Sequence, residues 1–134
     1  MKTYDFKKVQ LIFGGVAISG FAEGSAIVVR RNSDAWSMSV GADGEGTRSK
    51  SNDKSGQVEI TLKQSSSSNE YLSSKALADE TSNSGVAPLM VKDGSGTSLT
   101  LGEQFWVKKL PDQEFQREAG DRVWILETDN LNSL

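Results

Sequence analysis

The sequence contains no cysteine, no histidine and only two prolines among 134 residues. Without cysteine, disulfides, thiolate metal sites and thiol nucleophiles are excluded, and synthesis in a reducing cytoplasm is compatible with the composition. Without histidine, a Ser-His-Asp triad, a histidine general base and His-ligated zinc are excluded as well. Any enzyme built from the remainder would rely on carboxylates, Lys or Tyr. Long apolar runs are also lacking. The N-terminus, Met1-Lys2-Thr3-Tyr4-Asp5-Phe6-Lys7-Lys8, suggests neither a signal sequence nor a membrane anchor. There is no excess of positive charge: 15 basic residues face 18 acidic ones, for a net charge of −3. The charge is uneven, with 9 basic and 7 acidic groups in residues 1–64 and 6 and 11 in residues 65–134. Neither half has the basic surplus of a nucleic-acid surface.

What is present suits one strand-rich domain spanning 1–134. Leu, Ile, Val and Phe total 31 of 134 residues, above the range that marks disorder. Gly and Ser are plentiful, at 13 and 19, as expected for tight turns between strands. Val9, Leu11 and Phe13 alternate with polar residues, Gly14-Gly15 interrupts, and Val16 and Ile18 resume. This pattern predicts a hairpin with a primed turn. Further strands are expected at Ser25–Arg31, at Ala35–Gly41 and at Val58–Leu62. In the second of these, Trp36, Met38 and Val40 form one face of a half-buried strand. Later strands are expected at Pro88–Lys92, Ser98–Leu101, Gln104–Leu110 and Arg122–Glu127.

Between Gly41 and Gly56 there is no large apolar residue, which predicts a flexible polar segment of functional or disordered character. One helix is expected after Ser67-Ser68-Asn69-Glu70, which has capping-box spacing. It would bury a stripe of Leu72, Ala76 and Leu77 and end at Asn83-Ser84-Gly85. The tail, 129–134, is expected to fray unless a partner holds it. The pattern implies an α+β fold, mostly antiparallel β, curled toward a barrel or sandwich with one helix packed outside and one long polar loop.

No catalytic constellation emerges. Gly41 to Gly46 has phosphate-loop spacing, but Thr47-Arg48 follows it, and Asp43 and Glu45 inside it would repel phosphate. Asp43-Gly44-Glu45 lacks the ligand number of a calcium loop. Ser51-Asn52-Asp53-Lys54 matches S-x-x-K, yet it lies in the most polar stretch rather than at a rigid helix start. Trp36, Trp106 and Trp124 suit a core or a subunit contact better than a sugar-stacking platform. Asp112, Glu114, Glu118 and Asp121 read as a solvated charge run rather than paired catalytic carboxylates. Arg30, Arg31, Arg48, Lys50 and Lys54 form a mildly basic region suited to an acidic partner surface. No catalytic, cofactor or metal site is assigned. What remains are sheet edges and a long adhesive segment, both of which invite pairing with another copy.

The order of features resembles tail tube proteins of contractile-tailed bacteriophages. The resemblance rests on Asp5–Val9, on Gly14–Gly24, on Asp34-Ala35-Trp36 running into Gly41–Gly44, and on Thr47-Arg48-Ser49 before Asp53. Gly56–Leu62 with the Ser-rich helix start, and a pattern continuing to Val123–Leu126, complete it. The resemblance implies a structural virion protein whose hexameric rings stack into a tube inside a contractile sheath. Subunit strands would join into a continuous barrel, and the genome would pass through its lumen. Its partners would be other copies, the tail sheath, the baseplate or tube initiator and the tape measure protein, with transient, non-specific passage of DNA. The place would be the virion tail, assembled in the host cytoplasm. Segment 41–56 would be an extended hairpin or loop engaging a neighbouring subunit or ring. The interface residues expected there are Trp36, Gly41, Asp43, Gly44, Glu45, Gly46, Arg48, Lys50, Asp53 and Lys54. An acidic lumen would let DNA slide, because like charges repel. A bacteriocin or type VI secretion tube, or a small β-sandwich sugar-binding module, would be the alternatives.

Overall fold

Alternating apolar residues dictate the architecture. In a computed structural model, which describes residues 1–133, β1 (Val9–Phe13) pairs with β2 (Val16–Ala17) across Gly14-Gly15. Both glycines have positive φ, 61° and 82°, as the expected primed turn requires. Three strands follow: β3 (Ile27–Arg31), β4 (Trp36–Val40) and β5 (Gly46–Lys50). After β6 (Gly56–Lys63) comes the single helix α1 (Ser68–Ser82). The chain ends in β7 (Ala87–Asp93), β8 (Leu99–Lys109), β9 (Asp121–Thr128) and β10 (Asn132–Ser133). All strand pairs are antiparallel, and the main sheet has the order β2-β1-β7-β8-β9-β6-β3, with β10 on β8.

The sheet is rolled, and one short segment shows it. Ile18 donates its N–H to Leu11 on the outer side of β1, and Gly20 accepts from Lys63 on the outer side of β6. In a flat sheet those two flanks would lie six strand spacings apart, about 29 Å. Two residues of chain reach only about 7 Å. This segment bonds to one flank through Ile18 and to the other through Gly20 and Ala22, whose N–H donates to Thr61 O. No strand of one flank pairs with a strand of the other among the described residues, so the roll is not closed by a continuous ladder.

Inside the roll, Leu11, Phe13, Val58, Ile60, Leu62, Leu89, Phe105, Trp124 and Leu126 form the core. β8 is one bent strand where the sequence suggested two. A bulge opposite Ala87–Leu89 lets its first half pair with β10 and its second with β9. Phe105 folds back over Gly102 at this bend, where an added Cβ would lie 2.1 Å from its ring.

The helix packs on the core through Leu72 and Ala76, and Tyr71 Oη donates to Phe13 O at 2.8 Å. Leu77 does not join the stripe and is 52% exposed. Five residues at 100° each leave it roughly 140° around the helix from Leu72. The expected capping box is absent: Ser67 makes no side-chain cap bond. Ser66 Oγ instead accepts from Ser68 N and donates to Ser19 O. Asn69 fixes the helix start, donating to Lys63 O and accepting from Trp124 Nε1 at 2.9 Å. The C-terminus is as expected, with Asn83 left-handed at φ 55°.

The tail does not fray over its described part. Leu131 is 1% exposed, its N–H donates to Lys54 O, and its carbonyl accepts from Arg31 Nη2 at 2.7 Å. Its side chain fills space left open by Gly56, where a Cβ would sit 2.6 Å from Leu131 Cδ2. Two further residues pair with β8.

Candidate assembly surfaces

Strands β4 and β5 leave the rolled sheet and pair only with each other, from Trp36 opposite Lys50 to Val40 opposite Gly46. Segment 41–56 is therefore not a structureless loop. Its first third is a tight turn, in which Gly41 N–H donates to Glu45 O and Gly44 takes φ 86°. Its middle is β5. Alternation sorts the hairpin into two faces. One carries Trp36, Met38, Val40, Arg48 and Lys50, and the other carries Ser37, Ser39, Thr47 and Ser49. The apolar face was expected to be half-buried, but the chain does not cover it: Trp36, Met38 and Val40 are 45%, 74% and 61% exposed. Period-2 alternation signals a face that needs covering, without saying what covers it. Arg48 shields part of it, its guanidinium carbon 3.8 Å from the Trp36 ring centroid. An isolated two-stranded hairpin is marginal in water, so this face wants a further surface.

The base of the hairpin is held by hydrogen bonds. Asp53 accepts from Ser33 Oγ, from Ser55 Oγ and from Ser55 N–H at 2.9 Å. The bond from Ser33, then those from Ser55, hold its carboxyl at about 2, below the ordinary 3.8. Asn32 N–H donates to Ser55 O. All ten residues expected at an interface (Trp36, Gly41, Asp43, Gly44, Glu45, Gly46, Arg48, Lys50, Asp53 and Lys54) are exposed and belong to this hairpin or its base.

A second surface is the outer edge of β3. Its inner edge pairs with β6, while no strand pairs its other side among the described residues. Arg30 on this strand forms an ion pair with Glu59, worth about 1 kcal/mol or less in so exposed a setting. The three tryptophans share no platform: Trp124 is core, Trp106 half-buried and Trp36 exposed on the hairpin. Asp112, Glu114, Glu118 and Asp121 are exposed, the first three in an irregular connection between β8 and β9.

Two features escaped the sequence reading. One is the tie of Leu131 to the hairpin base. The other is Arg122, on the core-facing side of β9, only 7% exposed, with Nη1 lacking any partner. No pattern in the sequence separates such an arginine from a solvated one.

Known proteins share both sequence and fold with this chain. The family described as Bacteriophage PhiTE tail tube protein matches residues 1–134. Structural protein ORF10 of Pseudomonas phage KPP10 is 29% identical over 115 residues, covering 84% of this chain and 66% of that protein's length. The fold recurs at 8% identity in the anti-feeding prophage tube-terminating cap, with a TM-score of 0.65 over 100% of this chain and 92% of the other. It recurs also in the PVC sheath/tube terminator of an extracellular contractile injection system, with a TM-score of 0.66 over 100% and 98%. That family is structural rather than enzymatic. With its whole length matched, this chain belongs to the bacteriophage PhiTE tail tube protein family and is a structural protein of the phage tail.

Proposed function

We propose that the chain is the repeating subunit of a tail tube, forming hexameric rings that stack inside a contractile sheath and conduct the genome through their lumen. The observation that carries this reading is the β4–β5 hairpin, whose apolar face is displayed outside the fold that produced it. A monomer gains nothing from that face, whereas an assembly buries it. The free edge of β3 supports a ring, because a head-to-tail strand contact between copies closes when the rotation suits. The sheath, a baseplate initiator and a tape measure protein are the remaining partners, and DNA passes without specific contacts. The place is the virion tail, with assembly in the host cytoplasm.

Electron microscopy of the purified protein across a concentration series, with mass measurement in solution, tests this. Six-fold rings or hollow tubes are expected, and a monomer at every concentration, even with a baseplate nucleus added, refutes it. A second reading, a terminating ring at the tube end, draws on the whole-chain fold match to proteins named as a cap and a terminator. Single rings that never stack would favour it. The same subunit would suit a bacteriocin or type VI secretion tube, which genes for a capsid and portal beside this one would argue against. Heat on titration with glycans would favour a sugar-binding module instead.

A further inference from the structure

Arg122 is unusual because it is largely buried while its guanidinium has no counter-charge among the described residues. It is 7% exposed, Nη1 has no hydrogen-bond partner, and no carboxylate lies within ion-pair distance among the described residues. A guanidinium drawn this far out of water is normally paired with a carboxylate. Beside it lies Phe115, whose ring centroid is 5.5 Å from the guanidinium carbon. Phe115 is itself 75% exposed, on an irregular stretch. No hydrogen bond ties residues 111–119 to the rest of the fold among the described residues. The cover over Arg122 is thus an aromatic side chain on a loop free to yield.

Topology places this group opposite the hairpin. Arg31 pairs with Gly56 and Gly56 with Thr128 at one end of β3, β6 and β9, and there the hairpin departs. Lys63 pairs with Asp121 and Leu62 with Arg122 at the other end. The hairpin projects about 17 Å, from five-residue strands. Its tip presents Asp43 and Glu45. Asp43 is occupied in the turn, accepting from Glu45 N–H at 3.1 Å, whereas the Glu45 carboxylate is unpaired among the described residues. Met38 and Val40, beside the tip, are exposed and apolar, as is Phe115. An anion with apolar flanks at one end faces a cation with an apolar cover at the other.

We infer that Arg122 and Phe115 form the socket that receives the hairpin tip of a second copy, the Glu45 carboxylate pairing with the Arg122 guanidinium while Met38 and Val40 pack against Phe115. The inference rests on the stacked-ring reading and deepens it by naming the receiving site. Because the contact joins opposite ends of identical chains, it is heterologous and propagates along a stack. The Phe115 loop moves aside as the carboxylate enters, and Nη1 of Arg122 gains in the assembly the acceptor it lacks in the single chain.

The absence of cysteine makes the test direct. An Ala42→Cys/Gln116→Cys double variant changes two exposed positions beside the contact and leaves Glu45, Phe115 and Arg122 in place, so neither folding nor the contact itself is at stake. Oxidation of its assemblies should give a ladder of covalent dimers, trimers and higher species, and either single-cysteine variant should give none. In parallel, Glu45→Arg should raise the protein concentration needed for assembly at least tenfold, and adding Arg122→Glu should restore it. Assemblies that form without a ladder overturn the socket but leave the ring reading standing. So does a Glu45→Arg variant that assembles normally. Dependence on Arg122 without cross-linking would mean that a carboxylate of its own loop pairs with it, which also overturns the inference. A wild-type chain that never assembles removes both readings together.

Discussion

Leu131→Ala is the most informative perturbation of the monomer, because it tests whether the C-terminal segment belongs to the fold. The side chain is 1% exposed and packs where Gly56 leaves room, close to the point at which the hairpin joins the sheet. Removing three carbons at about 0.8 kcal/mol each forfeits roughly 2.4 kcal/mol of transfer free energy. Gly56 has no side chain with which to refill the space, so a cavity term should bring the loss to about 3–4 kcal/mol. That corresponds to a shift of more than 100-fold in the folded-to-unfolded ratio. Urea titration followed by intrinsic tryptophan fluorescence, to which the buried Trp124 contributes, reads this. Val40→Ala serves as the control: its side chain is 61% exposed, and the expected change is within about 0.5 kcal/mol. Hydrogen exchange adds a spatial check, since the Leu131 amide bonded to Lys54 should lose protection together with the hairpin base. A loss below about 1 kcal/mol would mean that the tail frays in solution and that the closure of Arg31, Lys54 and Leu131 is not part of the stable fold.

Two further perturbations probe local geometry. Gly102→Ala sets a Cβ 2.1 Å from Phe105 and should destabilise by about 1–3 kcal/mol through displacement of that ring; an unchanged melting curve would refute the tight packing at the bend. For Asp53 the folded carboxyl is depressed to about 2, so its contribution to holding the hairpin base is complete above 3.8 and is lost as pH falls through about 2. Amide exchange at Ser55 between pH 5 and pH 2 should therefore rise beyond its intrinsic trend in the wild type, and Asp53→Asn should abolish that extra dependence.

Much of this fold was legible because one face of most strands is buried. Val58, Ile60 and Leu62 alternate against Glu59 and Thr61, and the period transmits burial directly into sequence. Gly14-Gly15 was equally readable, because two successive left-handed residues leave few other choices. The hairpin and its exposed face were half-legible. Trp36, Met38 and Val40 announce a covered face, but a face covered by another chain looks the same as one covered by the core. The helix cap was misassigned because four consecutive serines, 65–68, offer the same oxygen at every register. Nothing marked Leu131 as core, since a lone leucine between asparagines has no period. Arg122 was hidden for a related reason: a cation at a core-facing strand position differs from a solvated one only in three dimensions.

The attachment of the hairpin also has a mechanical consequence. It leaves the sheet at one end of β3 and β6, while the Lys63–Asp121 pair lies at the other. A pull between those ends runs along the strands, and antiparallel ladder bonds lie across them. The ladder joining β6 to β9, from Gly56 opposite Thr128 to Lys63 opposite Asp121, would then bear load as a unit in shear. A pull on the two-residue strand β2 would instead peel the β1 edge one bond at a time. The chain is therefore stiff along β6 and β9 and weak at its β2 edge, so a force applied through the hairpin meets its strongest ladder first.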